Sequence, residues 1–179
     1  MFSLNLVKGI DDRNGRYDNT QGRVLKSIDS DGTISKNWKE RHTMVKPIMK
    51  DIFFLGQKSE EATRTDLQVG KDLEDTLEAN REGCVGMAAN MIGVKKRVII
   101  VNMGLADIVM FNPVLLKADM PYEAEEGCLS LVGERKTTRY QNIEVEYTDK
   151  NWNKKRIKLS GWYAQICQHE LDHLEGIII

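Results

Sequence analysis

A helical repeat of hydrophobic positions follows a polar start signal near residue 63. Thr63 and Asp66 have the spacing of a capping box, in which each side chain bonds the other's backbone N–H. Hydrophobic residues then recur at four-residue intervals, which predicts an amphipathic helix that ends at Gly83. These hydrophobic positions are Val69, Leu73 and Leu77.

Runs of β-branched residues and period-two alternation predict several strands after this helix. The segment "CVGMAANMIG" between helix and strands is small and apolar, so backbone can approach another group closely there. The prediction is a strand over 97–103, a second over 108–116 broken at Asn112-Pro113, a polar loop entering a short strand over 125–134, and a hairpin of 143–149 with 154–160.

The last segment, "GWYAQICQHELDHLEG", predicts a helix over 161–176. Trp162, Ile166 and Leu174 fall on one side, where we expect them to join the core. The order of helix, several strands and helix predicts an α+β fold, with antiparallel β-sheets packed around the C-terminal helix.

Residues 1–43 differ from the rest in being rich in Asp, Asn, Gly and Arg, with little hydrophobic periodicity. They could form one or two hairpins at "NG" and "DG", or be loosely ordered. We therefore predict an N-terminal segment of undefined role over 1–43, followed by one domain over 44–179.

Composition excludes several classes of function. The chain has 179 residues, 41% hydrophobic and 30% charged, with a net charge of −1. This balance argues against direct nucleic-acid readout, and no apolar run is long enough for a membrane span. We expect no signal peptide and a reduced cytoplasmic location, where three cysteines act as ligands or core residues rather than disulfides.

The stretch "CQHELDHLEG" holds the strongest candidate chemistry. His169 and His173 are four residues apart, so on a helix their imidazoles can converge on one cation. Glu170 projects about 100° away from His169, which suits a general base better than a ligand. The alternative is a solvated helix whose histidines are incidental.

A third ligand has to come from upstream, because only an apolar tail follows Gly176. The candidates are His42, Cys84, Cys128 and Cys167. Cys128 is the best of them, because its loop contains glycine and the next residue, Leu129, offers a free backbone N–H. Two histidines and one thiolate would then leave an open position for water.

The motifs "GMAA", "EEGCLS" and "QHELDHLEG" together resemble those of the peptide deformylases, in the same order. The resemblance covers about Met44 to Gly176. It implies one divalent metal ion held by Cys128, His169 and His173, with Glu170 as acid–base. Fe²⁺ is the usual ion, and Zn²⁺, Ni²⁺ or Co²⁺ can substitute. The implied reaction removes the formyl group from the N-terminal methionine of nascent chains, and the ribosome exit region is a further expected partner.

The first motif departs from its family pattern at two positions. "CVGMAANM" keeps the second glycine as Gly86, which we include among the site residues, but has Cys84 at the first glycine and Met91 at the usual glutamine. A thioether cannot donate the hydrogen bond that this glutamine gives to the oxyanion, which leaves the Leu129 N–H as the expected donor. Reduced deformylation, an amidohydrolase for another small acyl-amine, and a catalytically weak metal-binding protein are the three readings that remain.

Three charged residues, Glu126, Arg139 and Asp172, complete the candidate site. They could orient a ligand histidine, as carboxylates often do. They could equally form a surface ion pair of little energetic value.

Overall fold

The computed structural model describes residues 43–179. Except for Thr43, the predicted N-terminal segment lies outside these residues, as does His42, so the boundary at Met44 stays a prediction. The helices and strands are α1 (Ile52–Leu55), α2 (Leu67–Ala79), β1 (Gly86–Ala88), β2 (Val98–Asn102), β3 (Asp107–Gly127), β4 (Glu134–Thr148), β5 (Lys154–Ser160) and α3 (Gly161–Leu174), with 3₁₀ turns at Arg64–Asp66 and Ala89–Ile92.

The five strands form one antiparallel sheet in the order β1-β2-β3-β4-β5. This confirms the α+β class, although the described residues form a single sheet where we expected more than one. The β-branched run of β2 is almost wholly buried, because strands pair with both of its edges and helices α2 and α3 pack against it. Helix α3 packs against β1, β2 and β4, so the C-terminal helix does lie on the sheet.

Strand β3 differs from the sequence prediction at two places, Asn112-Pro113 and residues 125–127. The expected break at Asn112-Pro113 is a β-bulge between Phe111 and Val114, and the strand continues to Gly127. Asn112 has a positive φ of 50°, and its side chain bonds both the N–H and the carbonyl of Ala62, at 2.7 and 2.9 Å. The predicted loop at 125–134 therefore begins too early, since its first three residues still pair with β4.

Helix α2 begins and ends at other residues than predicted. The capping box exists, with the Thr63 N–H donating to Asp66 Oδ2 at 2.7 Å, but it opens a 3₁₀ turn before the α-helix. The helix ends at Ala79 rather than Gly83. Its buried face approaches the sheet closely at Gly70, where an added Cβ would lie 2.8 Å from the Phe111 ring.

Helix α3 has the predicted range to within two residues, but not the whole predicted core face. Ile166 and Leu174 are buried, whereas Trp162 is 41% exposed. The prediction for Trp162 is wrong, because its side chain in the first turn of α3 is covered only in part. None of the helices in the described part of the chain is long and apolar enough to cross a membrane.

Candidate metal centre

Helix α3 and the end of strand β3 bring three buried ligand-type side chains together. His169 Nε2 and His173 Nε2 are 3.1 Å apart, and Cys128 Sγ lies 3.2 Å from His173 Nε2. The ligating atoms of all three lie within 4.8 Å of one another. The i, i+4 spacing places both imidazoles on the helix face toward Cys128, and an N₂S set of this kind suits Zn²⁺, Fe²⁺, Ni²⁺ or Co²⁺.

Cys128 occupies the first position after β3, where the chain turns away from the sheet. The Ser130 N–H donates to Cys128 Sγ at 3.4 Å, and the Leu131 N–H donates to the Cys128 carbonyl at 3.0 Å. The half-buried Leu129 N–H meets no acceptor among the described residues. Cys167, a rejected candidate ligand, packs in the hydrophobic core instead.

Glu126 and Arg139 form a buried ion pair behind His169. Glu126 is 0% exposed and Arg139 only 4%, so the alternative of a surface pair is wrong. The Arg139 guanidinium donates hydrogen bonds to both carboxylate oxygens of Glu126, at 2.8 and 2.9 Å, and to Asp172 at 2.6 Å. Glu126 Oε2 in turn lies 2.9 Å from His169 Nδ1. This bond orients the ring so that Nε2 faces Cys128.

The surroundings move the pKa values of the two histidines in opposite directions. Burial alone would raise the pKa of Glu126, but hydrogen bonds from His169 and Arg139 lower it to about 2. Burial would likewise lower the pKa of His169, but hydrogen bonds to Cys128 and Glu126 raise it to about 10. At His173, burial and the charge of His169 act together and lower the pKa to about 3. The two imidazoles therefore differ, since the surroundings favour a proton on His169 and disfavour one on His173.

Glu170 lies beside the three ligands with one oxygen free. Glu170 is 3% exposed, and its Oε2 has no hydrogen-bond partner among residues 43–179. Burial raises the pKa of Glu170 to about 7, since the positive charge of His169 offsets it only in part. The carboxylate fits against Gly86 of β1, where an added Cβ would lie 2.6 Å from Glu170 Oε1. A side chain at position 86 would therefore displace Glu170 or Ile166, whose Cγ2 is equally close.

A small pocket of about 10 Å³ opens between these groups. A volume of this size holds the centre of one water molecule. The pocket is lined by the side chains and backbone of Cys84, Val85, Gly86, Met91, Gly127, Cys128, Leu129, His169 and Glu170. The predicted site residues line this pocket except for His173, whose Nε2 lies 3.1 Å from Nε2 of His169.

Two departures from the family pattern line this pocket. Met91 Sδ accepts a hydrogen bond from the Ala88 N–H at 3.4 Å and has nothing to donate. Cys84 donates to the Gly86 carbonyl at 2.8 Å, and burial raises its pKa to about 12. Asn90 does not replace the missing amide, because its side chain points away and donates to the His173 carbonyl at 2.7 Å.

Two glutamines of α3 support the site, although neither was predicted as a site residue. Gln165 donates to Glu126 Oε1 at 2.8 Å and accepts from the Tyr122 hydroxyl at 2.8 Å. Gln168 pairs with both backbone groups of Tyr140 at 2.9 Å and so fixes α3 against β4. The four-residue spacing of Gln165 and His169 was the available signal, since it places both on the same face.

The site combines two histidines of one helix, a cysteine sulfur from the end of a strand and a buried acid beside them. Together these groups suit the activation of water for attack on a carbonyl. The fold and this site define the class of the protein as a metal-dependent hydrolase with an α+β fold.

Comparisons with known proteins give the family. Residues 45–179 match the model of the polypeptide deformylase family. A peptide deformylase of Clostridium beijerinckii is 62% identical over 136 residues, which are 76% of this chain and 100% of that protein. A crystal structure of the class I type b peptide deformylase from Acinetobacter baumannii superposes with a TM-score of 0.69 at 29% identity, over 75% of this chain and 97% of that one. The same Acinetobacter protein bound to Met-Ala-Ser gives a TM-score of 0.68 at 27% identity, over 76% and 96%.

The chain belongs to the peptide deformylase family. The members of this family are metal-dependent enzymes that remove the N-formyl group from nascent polypeptides.

Proposed function

We propose that this chain hydrolyses the N-formyl group of polypeptides that begin with formyl-methionine, releasing formate, at a rate that Met91 reduces. The observation that carries the proposal is the buried Cys128–His169–His173 cluster beside the unpaired Oε2 of Glu170. Membership of the family supports the reaction, and the geometry of this cluster supports the role of each residue.

We assign the metal to Cys128 Sγ, His169 Nε2 and His173 Nε2, with Fe²⁺ as the ion. The fit rests on the donor set and on its geometry, since the three ligand atoms lie within 4.8 Å of one another. When bound, the ion supplies Lewis acidity, which lowers the pKa of water in the pocket and polarises the formyl carbonyl. The pocket has room for one such water beside Glu170.

Glu170 moves the proton in this proposal. Its free Oε2 takes a proton from water as the water oxygen attacks the formyl carbon, and later delivers that proton to the leaving amine nitrogen. An acid–base is most effective when its pKa lies near the working pH, and burial holds the pKa of Glu170 at about 7. Gly86 keeps this carboxylate within reach of the pocket.

The Leu129 N–H supports the oxyanion that develops on the formyl oxygen. It faces no acceptor among the described residues and borders the pocket, so it can donate when charge develops there. Met91 lies at the same pocket without a donor hydrogen. The transition state therefore has one fewer side-chain donor than the family pattern provides, which is the reason for the reduced rate.

The small pocket favours formyl over larger acyl groups, which argues against an amidohydrolase for another acyl-amine. The peptide itself can pair with β1, because β1 is an edge strand that pairs only with β2 within residues 43–179. The Met-Ala-Ser complex of the Acinetobacter relative supports a peptide with an N-terminal methionine as the occupant. Such chains arise at the ribosome, so we place the reaction in the cytoplasm near the ribosome exit region.

Deformylation assays on metal-loaded protein test this function. The full chain is purified without oxygen, its metal content is measured by elemental analysis, and it is then loaded with Fe²⁺ or Ni²⁺. Formyl-Met and acetyl-Met peptides are compared as substrates of the wild type, Glu170→Ala and Glu175→Gln. Glu175 is a matched control, because this glutamate of the same segment pairs with Arg97 and Lys58 instead of facing the pocket.

We expect the wild type and Glu175→Gln to release formate and Glu170→Ala to release none at a measurable rate. Turnover of the acetyl peptide alone would support the amidohydrolase reading instead. If the protein binds one equivalent of metal but hydrolyses neither peptide, it is a metal-binding protein without this activity, and the proposed function is wrong.

A further inference from the structure

Residues 49–50 lie in a short segment without regular secondary structure that hydrogen-bonds to two residues lining the metal pocket. The Met49 N–H donates to the Met91 carbonyl at 2.8 Å. The next side chain, the exposed Lys50, donates from Nζ to the Leu129 carbonyl at 2.5 Å. Met91 and Leu129 both line the pocket, so residues 49–50 connect two of the segments that surround it.

The peptide group that Lys50 contacts also hydrogen-bonds to the sulfur of the proposed ligand Cys128. This group carries the Leu129 carbonyl at one end and the Ser130 N–H at the other, and the Ser130 N–H donates to Cys128 Sγ at 3.4 Å. A cation at the carbonyl polarises the amide and strengthens its N–H as a donor, as in any chain of hydrogen bonds. Ser130 and Cys128 are both buried, so water does not screen the far end of this chain.

We infer that Lys50 is a positioning residue of the metal centre, acting through the Leu129–Ser130 peptide. It fixes the turn that carries the Leu129 N–H and strengthens the hydrogen bond from Ser130 to the Cys128 sulfur. This inference rests on the proposed function for its effect on turnover, but its effect on the sulfur is independent of any substrate.

An exposed lysine at a carbonyl is often a surface contact of little consequence. Lys46, four residues earlier, provides the comparison. Its Nζ lies 3.2 Å from Asp72 Oδ2 of α2, so it ties the same segment to the fold without touching the turn after β3. If residues 49–50 only needed to be held in place, loss of Lys46 would have the same effect as loss of Lys50.

The test uses the full chain loaded with one equivalent of Co²⁺, whose thiolate-to-metal charge-transfer band reports on the sulfur. The proteins are the wild type, Lys50→Met, Lys50→Arg and Lys46→Met, each checked for folding by thermal unfolding. The band position is recorded first, and kcat and KM for a formyl-Met peptide are then measured on the same samples.

We expect Lys50→Met to move the band to longer wavelength, because a sulfur with a weaker N–H bond gives up electron density more easily. We also expect kcat to fall about tenfold, while KM changes by less than about twofold. A fall in kcat alone is typical of an interaction made only in the transition state. Tenfold is the lower end of the usual effect of removing a group that supports a metal ligand. Lys50→Arg should restore both values because a guanidinium can donate to the same carbonyl, and Lys46→Met should change neither.

Three outcomes would overturn the inference. An unmoved band in Lys50→Met would show that Lys50 does not act on the sulfur. A raised KM with unchanged kcat and band would make Lys50 a substrate contact. Equal effects in Lys46→Met would reduce the role of Lys50 to tethering. A wild type that shows a band but no deformylation would refute the proposed function, and the band shift alone would then decide the role of Lys50.

Discussion

Replacing Met91 with glutamine tests how the pocket stabilises the transition state. Met91 lies in the buried 3₁₀ turn Ala89–Ile92, and its thioether borders the pocket beside Glu170 and Leu129. Glutamine has nearly the same length and volume, so the turn can accept it without repacking. The substitution changes one property above all, because the glutamine amide donates a hydrogen bond where the thioether only accepts one.

The expected gain follows from the value of one oxyanion donor. Loss of such a donor typically costs about 10²–10³ in rate, or about 3–4 kcal/mol. Glu170 Oε2 is unpaired in the resting site and can accept from the new amide, which stabilises the ground state as well and reduces the net gain. We therefore expect kcat to rise at least about tenfold, below the full value of the donor.

The free energy of unfolding of Met91→Gln should change as well as its kcat. An amide buried without a full set of partners costs about 1–3 kcal/mol, so Met91→Gln should be less stable to urea than the wild type while turning over faster. Met91→Leu is the matched control, since leucine has a similar volume and no donor. An unchanged kcat in Met91→Gln, or an equal rise in Met91→Leu, would refute our account of the oxyanion site.

Three further substitutions test other contacts. Gly86→Ala places a methyl group 2.6 Å from Glu170 Oε1, and should lower kcat about 10²-fold with an unchanged circular dichroism spectrum, since small displacements at a reacting centre cost this much. Glu126→Ala leaves Arg139 buried without its main partner, and should lower the free energy of unfolding in urea by about 3–5 kcal/mol. Gly70→Ala brings a methyl group 2.8 Å from the Phe111 ring of β3. This overpacking should lower the free energy of unfolding by about 1–3 kcal/mol, measured as a fall in Tm, and leave kcat per folded molecule unchanged.

The metal-binding helix could be predicted from the sequence because its geometry is local. Residues four apart on any α-helix share a face, so His169 and His173 converge whatever the rest of the chain does. The hairpin of β4 and β5 was equally accessible, since period-two alternation and a polar turn are both local signals. The roles assigned to these residues in catalysis stay predictions until the variants are measured.

Other features depend on contacts between distant segments, and the sequence did not indicate them. Trp162 has the spacing of a core residue, but its burial depends on how far the sheet extends along α3. The Asn112-Pro113 pair signals a strand break, yet the side chain of Asn112 replaces the missing ladder bonds by pairing with Ala62, fifty positions away. Lys50 is 79 positions from its partner Leu129, so no local pattern connects them.

The three metal ligands come from distant parts of the chain, and this separation has a consequence for folding. Cys128 and His173 are 45 positions apart, one at the end of a strand and the other in the last turns of the terminal helix. An ion bound by both closes that loop much as a covalent cross-link does, and it binds the native chain far better than the denatured one. Occupancy of the centre should therefore hold the tail of the polypeptide on the sheet, and a chelator should release the carboxyl-terminal helix before the remaining strands separate.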